Sequence, residues 1–196
     1  MMQSRIAVFI AVALLAFTAC QSQAKDKPKL SIGDPAPPLG GTSVEDREVT
    51  LATFKDKDVL VVAFTCNHCP VAKAYEDRFI QFQKDYADKG VQLVAICVND
   101  RDGDRLPGMK KRAEEKGFNF PYIYDESQES GRAYGATCTP HLFVLDGDRR
   151  VAYMGSFDDD MKNPETPHVA NAVDAILAGK KPEVAVTKQF GCGIKW

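Results

Sequence analysis

Phe64-Thr65-Cys66-Asn67-His68-Cys69-Pro70 is the stretch on which the reading of this chain turns. It follows an apolar, β-branched run from Asp58 to Phe64 and opens an amphipathic segment from Val71 to Tyr86. It therefore reads as strand, turn and helix. Two cysteines separated by two residues at the mouth of a helix suit redox chemistry. Unpaired backbone N–H groups and the helix macrodipole favour a thiolate on the first cysteine, and the thiolate is the attacking species in disulfide exchange. Cys69, about one helical turn further on, is close enough to close a disulfide with Cys66. A protonated His68 would lower the thiol pKa further. Pro70 fits a first turn, where a missing N–H costs nothing. The other reading of such a pair is half of a four-cysteine zinc site, which needs a matching second pair. No second CxxC occurs in the sequence, so no metal and no cofactor is expected.

The chain has 196 residues, enough for one domain with a real core and appendages at both ends. Charge is nearly balanced, 25 Lys and Arg against 27 Asp and Glu, which gives no basic patch for nucleic acid. The first residues read as a targeting segment. Arg5 supplies a positive start, Ile6 to Phe17 an apolar run too short for a stable span, and Thr18-Ala19 the small residues before a cleavage point. The next residue is Cys20, and the pattern resembles the bacterial lipobox, in which that cysteine is lipidated and becomes the mature N-terminus. Residues 1–19 are expected to be a lipoprotein signal peptide and 20–30 a polar tether. Residues 31–179 are expected to form the domain and 180–196 a tail. The implied place is the cell envelope, lipid-anchored and facing the periplasm (at the outer membrane of a Gram-negative host), or secreted if cleavage is ordinary. Export makes disulfide chemistry more favourable.

Along the domain, Ile32 to Pro37 is an extended entry, and Thr42 to Leu51 a small hairpin turning at Glu45-Asp46. After the motif, Val71, Tyr75, Phe79, Phe82 and Tyr86 fall on one helix face. Gly90 ends that helix and Val91 to Val98 is a second buried strand, so strand, helix and strand make a right-handed βαβ unit. Asp100, Asp102 and Asp104 alternate as in a calcium loop, but the glycine is misplaced and no distal Glu follows. Asn99 to Pro107 is therefore expected to be a solvated loop. Short helices over Met109–Lys116 and Glu126–Tyr134 flank a strand over Phe118–Tyr124. Leu142–Leu145 and Arg149–Met154 form a hairpin around Asp146-Gly147. Thr139-Pro140, just before that hairpin, is a candidate cis bond. Asp158-Asp159-Asp160 reads as a solvated face, and Thr166 and Pro167 as the cap and first residue of a last helix.

The order strand, CxxC, helix, strand, helix, Thr-Pro, hairpin and helix resembles the thioredoxin-like superfamily. The fold implied is α/β, a central mixed sheet flanked by helices. The N-terminal hairpin and the Gly33-Asp34-Pro35-Ala36-Pro37 entry resemble its redoxin branch, shared by peroxiredoxins and envelope-anchored thioredoxins. By that resemblance the protein is a thiol–disulfide oxidoreductase in which Cys66 is the nucleophile and Cys69 the resolving thiol. His68, in a position shared with periplasmic disulfide oxidants, makes Cys66 a better leaving group. Thr139 and Pro140 form a cis-proline loop facing Cys66, where the backbone of Thr139 pairs with the substrate chain. The implied partners are protein or small-molecule thiols and disulfides and a redox partner, with no nucleic acid, and with the membrane only through the lipid.

The sequence departs from its relatives at several points. Val61 and His68 stand where the peroxiredoxin pattern has its Pro and its peroxidatic Cys. Leu60 stands where thioredoxins place a buried acid, and Ala72 where anchored reductants have a Glu, leaving Glu76 as a stand-in. Two alternatives remain: a thiol peroxidase with an antioxidant role, and a copper or other thiophilic metal chaperone using Cys66, Cys69 and a histidine such as His141. Cys97, inside an apolar run, reads as a buried small hydrophobe. Cys138 and Cys192 could form a structural staple, act as a second redox pair, or be free thiols.

Overall fold

The computed structural model describes residues 30–196; the expected signal peptide, the Cys20 lipidation site and nearly all of the tether lie outside them. The central strand is β3 (Val59–Phe64), six apolar residues all buried from solvent. Its residues alternate between two cores. Val59, Val61 and Ala63 pack with α1 (Pro70–Tyr86) and α4 (His168–Leu177), whereas Leu60, Val62 and Phe64 pack with Tyr134 of α3 (Glu129–Tyr134) on the other face. Each fully buried side chain of this size contributes about 1.5–3 kcal/mol, which makes β3 the strand that joins the two layers.

β4 (Val91–Cys97) lies parallel to β3, and β5 (Tyr122–Tyr124) parallel to β4. β7 (His141–Leu145) runs antiparallel on the other side of β3, followed by β8 (Val151–Gly155). The entry hairpin of β1 (Gly40–Ser43) and β2 (Glu48–Thr50) adds to β5. Among the described residues the sheet order is β2-β1-β5-β4-β3-β7-β8, a mixed sheet with helices on both faces. This is the α/β thioredoxin-like architecture that the motif order implies.

Local departures from expectation have physical causes. α2 (Leu106–Lys116) begins before Met109 because Pro107 suits its first turn. The last helix starts at His168 without a side-chain cap; Asp159 instead accepts the amides of Glu165 and Thr166 at 2.9 and 3.0 Å. Asp158 is buried rather than solvated, and takes hydrogen bonds of 2.6 Å from both the Tyr75 hydroxyl and Arg78. A buried carboxylate survives there because it has these donors. Of the apolar stripe on α1, Tyr75, Phe79, Phe82 and Tyr86 are buried, while Ala72 rather than Val71 completes the inward face.

The segment 180–196 is laid across the domain. It first follows the edge of β8, where Met154 donates to Ala185 and Thr187 donates back to Met154. It then crosses to β6 (Cys138–Thr139), against which its own short strand β9 (Cys192–Gly193) pairs antiparallel.

β7 opens on His141, 5% exposed, its ring 4.6 Å from that of Phe143. The Thr137 amide donates to Nδ1 at 3.4 Å, a bond that needs a free lone pair. Burial pushes the imidazole down to about 4. The unfolded chain takes up the proton near pH 6.5, the folded one only near 4, so the contribution of a neutral His141 is complete above pH 6.5. It is lost as the pH falls through that window, by about 3 kcal/mol in all. Urea midpoints for the wild type should fall between pH 7 and pH 4.5. His141→Asn, which keeps an acceptor but takes no proton, should flatten that slope; an unchanged slope would assign it to another group.

Candidate active site

The motif sits where β3 hands over to α1. Cys69 is the helix N-cap, in extended geometry, and its sulfur lies 3.5 Å from the Ala72 amide, with Pro70 following at the first helical position. Cys66 is 2% exposed, its Sγ 3.0 Å from the hydroxyl oxygen of Thr139. The Thr139–Pro140 peptide is cis, as its place before the hairpin suggested. The carbonyl of Thr139 lies 3.3 Å from Cys69 Sγ, so one residue touches both motif cysteines.

The two inner residues of the motif are tied down by the loop that was expected to be solvated. Asp104 is fully buried. Its Oδ1 accepts the amides of Asn67 and His68 at 2.8 and 3.0 Å, and its Oδ2 accepts Asn99 Nδ2 at 3.2 Å and pairs with His68 Nδ1. Asn67 is fixed further by the Tyr122 hydroxyl at 2.9 Å and by its own bond to the Gly103 carbonyl at 2.7 Å. The alternation of aspartates pointed to calcium or to solvent. Only the third carboxylate turns inward, because four donors meet it there.

Cys69 is disulfide-bonded, and its partner is Cys192, with Cα atoms 5.9 Å apart. The candidate pairing of Cys138 with Cys192 is not formed: Cys66, Cys97 and Cys138 are free. The β6–β9 register explains why. Thr139 lies opposite Cys192, and Cys138 opposite Gly193. Opposed residues share a face of the ribbon and neighbours alternate, so Cys192 points with Thr139 towards the motif and Cys138 points away. Cys138 is 8% exposed, its sulfur 3.6 Å from the Pro140 carbonyl. The same register places the tail on the backbone edge of Thr139 that was expected to receive a substrate chain.

The burial of Cys66 also bears on its chemistry. Burial pushes its thiol up, and the Asp104 carboxylate adds to this; the Thr139 hydroxyl and the amides of His68 and Cys69 pull the other way without prevailing. The acidified thiol expected from a helix mouth and His68 is therefore not found with Cys66 buried in this way. Cys97 is buried and pushed well up by desolvation, in keeping with a small core hydrophobe. Glu76 is no free proton acceptor, since Arg112 grips both its carboxylate oxygens at 2.9 and 2.5 Å. Leu60 lies in the core on the sheet face opposite the one that holds Cys66 and Cys69.

One group of metal-ligand type exists among the described residues: a Cys66, a His68 and an Asp104 donor atom, all within 4.8 Å of one another. The Asp104 oxygens are already filled by four partners. His141 and Cys138, although at a CxxH spacing, are outside the group, and Cys69 is engaged in its disulfide. These donors do not match the set expected of a carrier built on Cys66, Cys69 and His141.

Sequence similarity agrees with the geometry. The Redoxin family model matches residues 31–175. A thiol-disulfide oxidoreductase ResA of Bacillus thuringiensis (strain Al Hakam) is 27% identical over 148 residues, 74% of this chain and 82% of the relative. A solved structure of an uncharacterized conserved protein from Geobacillus kaustophilus superposes with a TM-score of 0.80 at 38% identity, covering 85% of this chain and 93% of that one. A hypothetical protein from Sinorhizobium meliloti 1021 gives 0.80 at 36%, covering 85% and 95%. With the family model spanning most of its length and the thioredoxin-like sheet behind its CxxC helix, the chain belongs to the redoxin family of the thioredoxin-like superfamily.

Proposed function

We propose that this enzyme, a thiol–disulfide oxidoreductase, works through Cys66 as nucleophile and Cys69 as resolving thiol on protein or small-molecule disulfides in the cell envelope. The observation that carries the reading is the meeting of both motif cysteines on Thr139, beside cis Pro140, with Cys69 already holding a disulfide at a helix N-terminus. The ResA relatives are named for the same reaction.

The Cys66 thiolate attacks one sulfur of the substrate disulfide; the other leaves as a thiolate and takes up a proton. Cys69 then attacks Cys66 Sγ, closing Cys66–Cys69 and releasing the second substrate thiol. The Thr139 hydroxyl, 3.0 Å from Cys66 Sγ, can donate to the thiolate, and the backbone N–H groups at the mouth of α1 favour its charge. His68, held by Asp104, stands beside Cys66 as the group able to move the proton. A redox partner restores the pair.

The envelope setting rests on the N-terminal sequence, with signal peptide 1–19, Cys20 as the lipidated residue, tether 20–30, domain 31–179 and tail 180–196. No helix among the described residues is long and apolar enough to cross a membrane, so the lipid is the anchor in this reading.

Turnover of a glutathionylated peptide should fall at least about 100-fold in Cys66→Ser, since a hydroxyl is a far poorer nucleophile than a thiolate. Cys69→Ser should stall as a mixed disulfide on Cys66, visible by intact mass. Rapid peroxide consumption that needs Cys66 alone would instead make the protein a thiol peroxidase. In the reduced protein, Asp104→Asn removes a negative charge that pushes the Cys66 thiol up. The midpoint of Cys66 alkylation against pH should therefore move down; a move upward would mean that holding His68 matters more than the charge.

A further inference from the structure

Cys192 is the one cysteine at the site that the motif and the cis-proline loop do not explain. Three features show that its position is built rather than incidental. Gly191 passes so close to the Thr139 carbonyl that a Cβ there would collide with it. Ile194, 8% exposed, is inserted into the core on the α3 side of the sheet. Trp196 lies under Arg132, 4.3 Å from guanidinium carbon to ring centre, over a space that a side chain at Gly131 would crowd. The tail is thus held on both sides of Cys192. Its docking is also linked to the motif: the Lys195 amide donates to Asn99 Oδ1 at 2.7 Å, and Asn99 donates to Asp104, which holds His68.

A peptide disulfide approaching Cys66 has to lie along β6, next to Thr139. The tail is itself an extended peptide with a cysteine, on that edge, with its sulfur bonded inside the motif. It has the placing of an enzyme–substrate mixed disulfide formed within one chain. It differs from one made in the forward reaction in using Cys69 and leaving Cys66 free beside it.

We propose that Cys192 is a third redox cysteine, alternating with Cys66 as the partner of Cys69, while its tail serves as a built-in peptide substrate that fills the site between turnovers. This rests on the reading of Cys66 and Cys69 as the exchanging pair. The step is an internal exchange without net oxidation. The Cys66 thiolate attacks Cys69 Sγ, the Cys66–Cys69 bond forms as Cys69–Cys192 breaks, and Cys192 leaves as a thiolate that takes up the proton given up by Cys66. Freed of its bond, the tail can lift and expose β6 to an outside chain.

The test uses the full-length oxidised protein, N-ethylmaleimide and no reductant, with labelled sites and disulfides mapped on peptides. In the wild type, exchange frees Cys192, the maleimide caps it, and the population drains to Cys66–Cys69 at a rate independent of protein concentration. Oxidised Cys66→Ser should carry Cys69–Cys192 and label at Cys192 at least tenfold more slowly. The proposal is overturned if Cys192 stays unlabelled in the wild type, which makes the bond a fixed staple. Equal labelling in Cys66→Ser, or absence of Cys69–Cys192 from that variant, overturns it as well. None of these outcomes touches the catalytic assignment of Cys66 and Cys69, which falls only if substrate turnover survives their replacement.

Discussion

Thr139 is the residue on which the site converges. Its hydroxyl meets Cys66, its carbonyl lies beside Cys69, and its backbone pairs with Cys192. A single extended residue can do this because a strand offers three separate resources: one side chain on one face, and backbone groups along each edge. The cis peptide that follows Thr139 leads directly into β7, which is paired along its whole length to β3. The strand that leads into the motif, β3, and the strand that follows Thr139 and Pro140, β7, are therefore neighbours in the same buried sheet. Side chains placed from rigid strands hold tighter geometry than side chains placed from loops, and the spacing at the motif follows from that pairing.

The buried carboxylate of Asp104 does for the motif's inner residues what the sheet does for its flanks. An ionised group out of water is costly unless its lone pairs are used. Here two backbone amides, an amide side chain and an imidazole use them. The other charged members of the loop Asn99–Pro107 face solvent: Asp100 and Asp102 share Arg105 in exposed ion pairs of the kind that contribute little to stability. One loop thus carries two kinds of aspartate, one kept for solubility and one for the site.

The fold could be read from the chain because its determinants are local. The continuous apolar runs of β3 and β4, the helical stripe through Tyr75, Phe79, Phe82 and Tyr86, and the Thr-Pro before a hairpin each declare themselves within a few residues. The motif cysteines and Thr139 could be read for the same reason. Asp104 could not be, because burial of one aspartate among three in alternation is decided by donors 36 residues away. Nor could the partner of Cys69 be read. The spacing of the motif pointed to Cys66, and which of Cys138 and Cys192 faces the motif depends on a strand register between segments over fifty residues apart, where a shift of one residue would have exchanged the faces. Of the glycines flanking Cys192, only Gly191 serves a close backbone approach, and nothing near it in sequence names Thr139 as what it approaches.

The sequence separation of 123 between Cys69 and Cys192 also imposes an order on biogenesis. A chain is made from its N-terminus at about 5–20 residues per second, so Cys66 and Cys69 emerge together, seconds before Cys192. An oxidising catalyst that meets the nascent chain at that stage can join the near pair but not Cys69 to Cys192. The long-range bond then has to be made by rearrangement once β6 and the tail are in place. A newly made molecule would begin life with an open site and acquire its cover only on completion of folding.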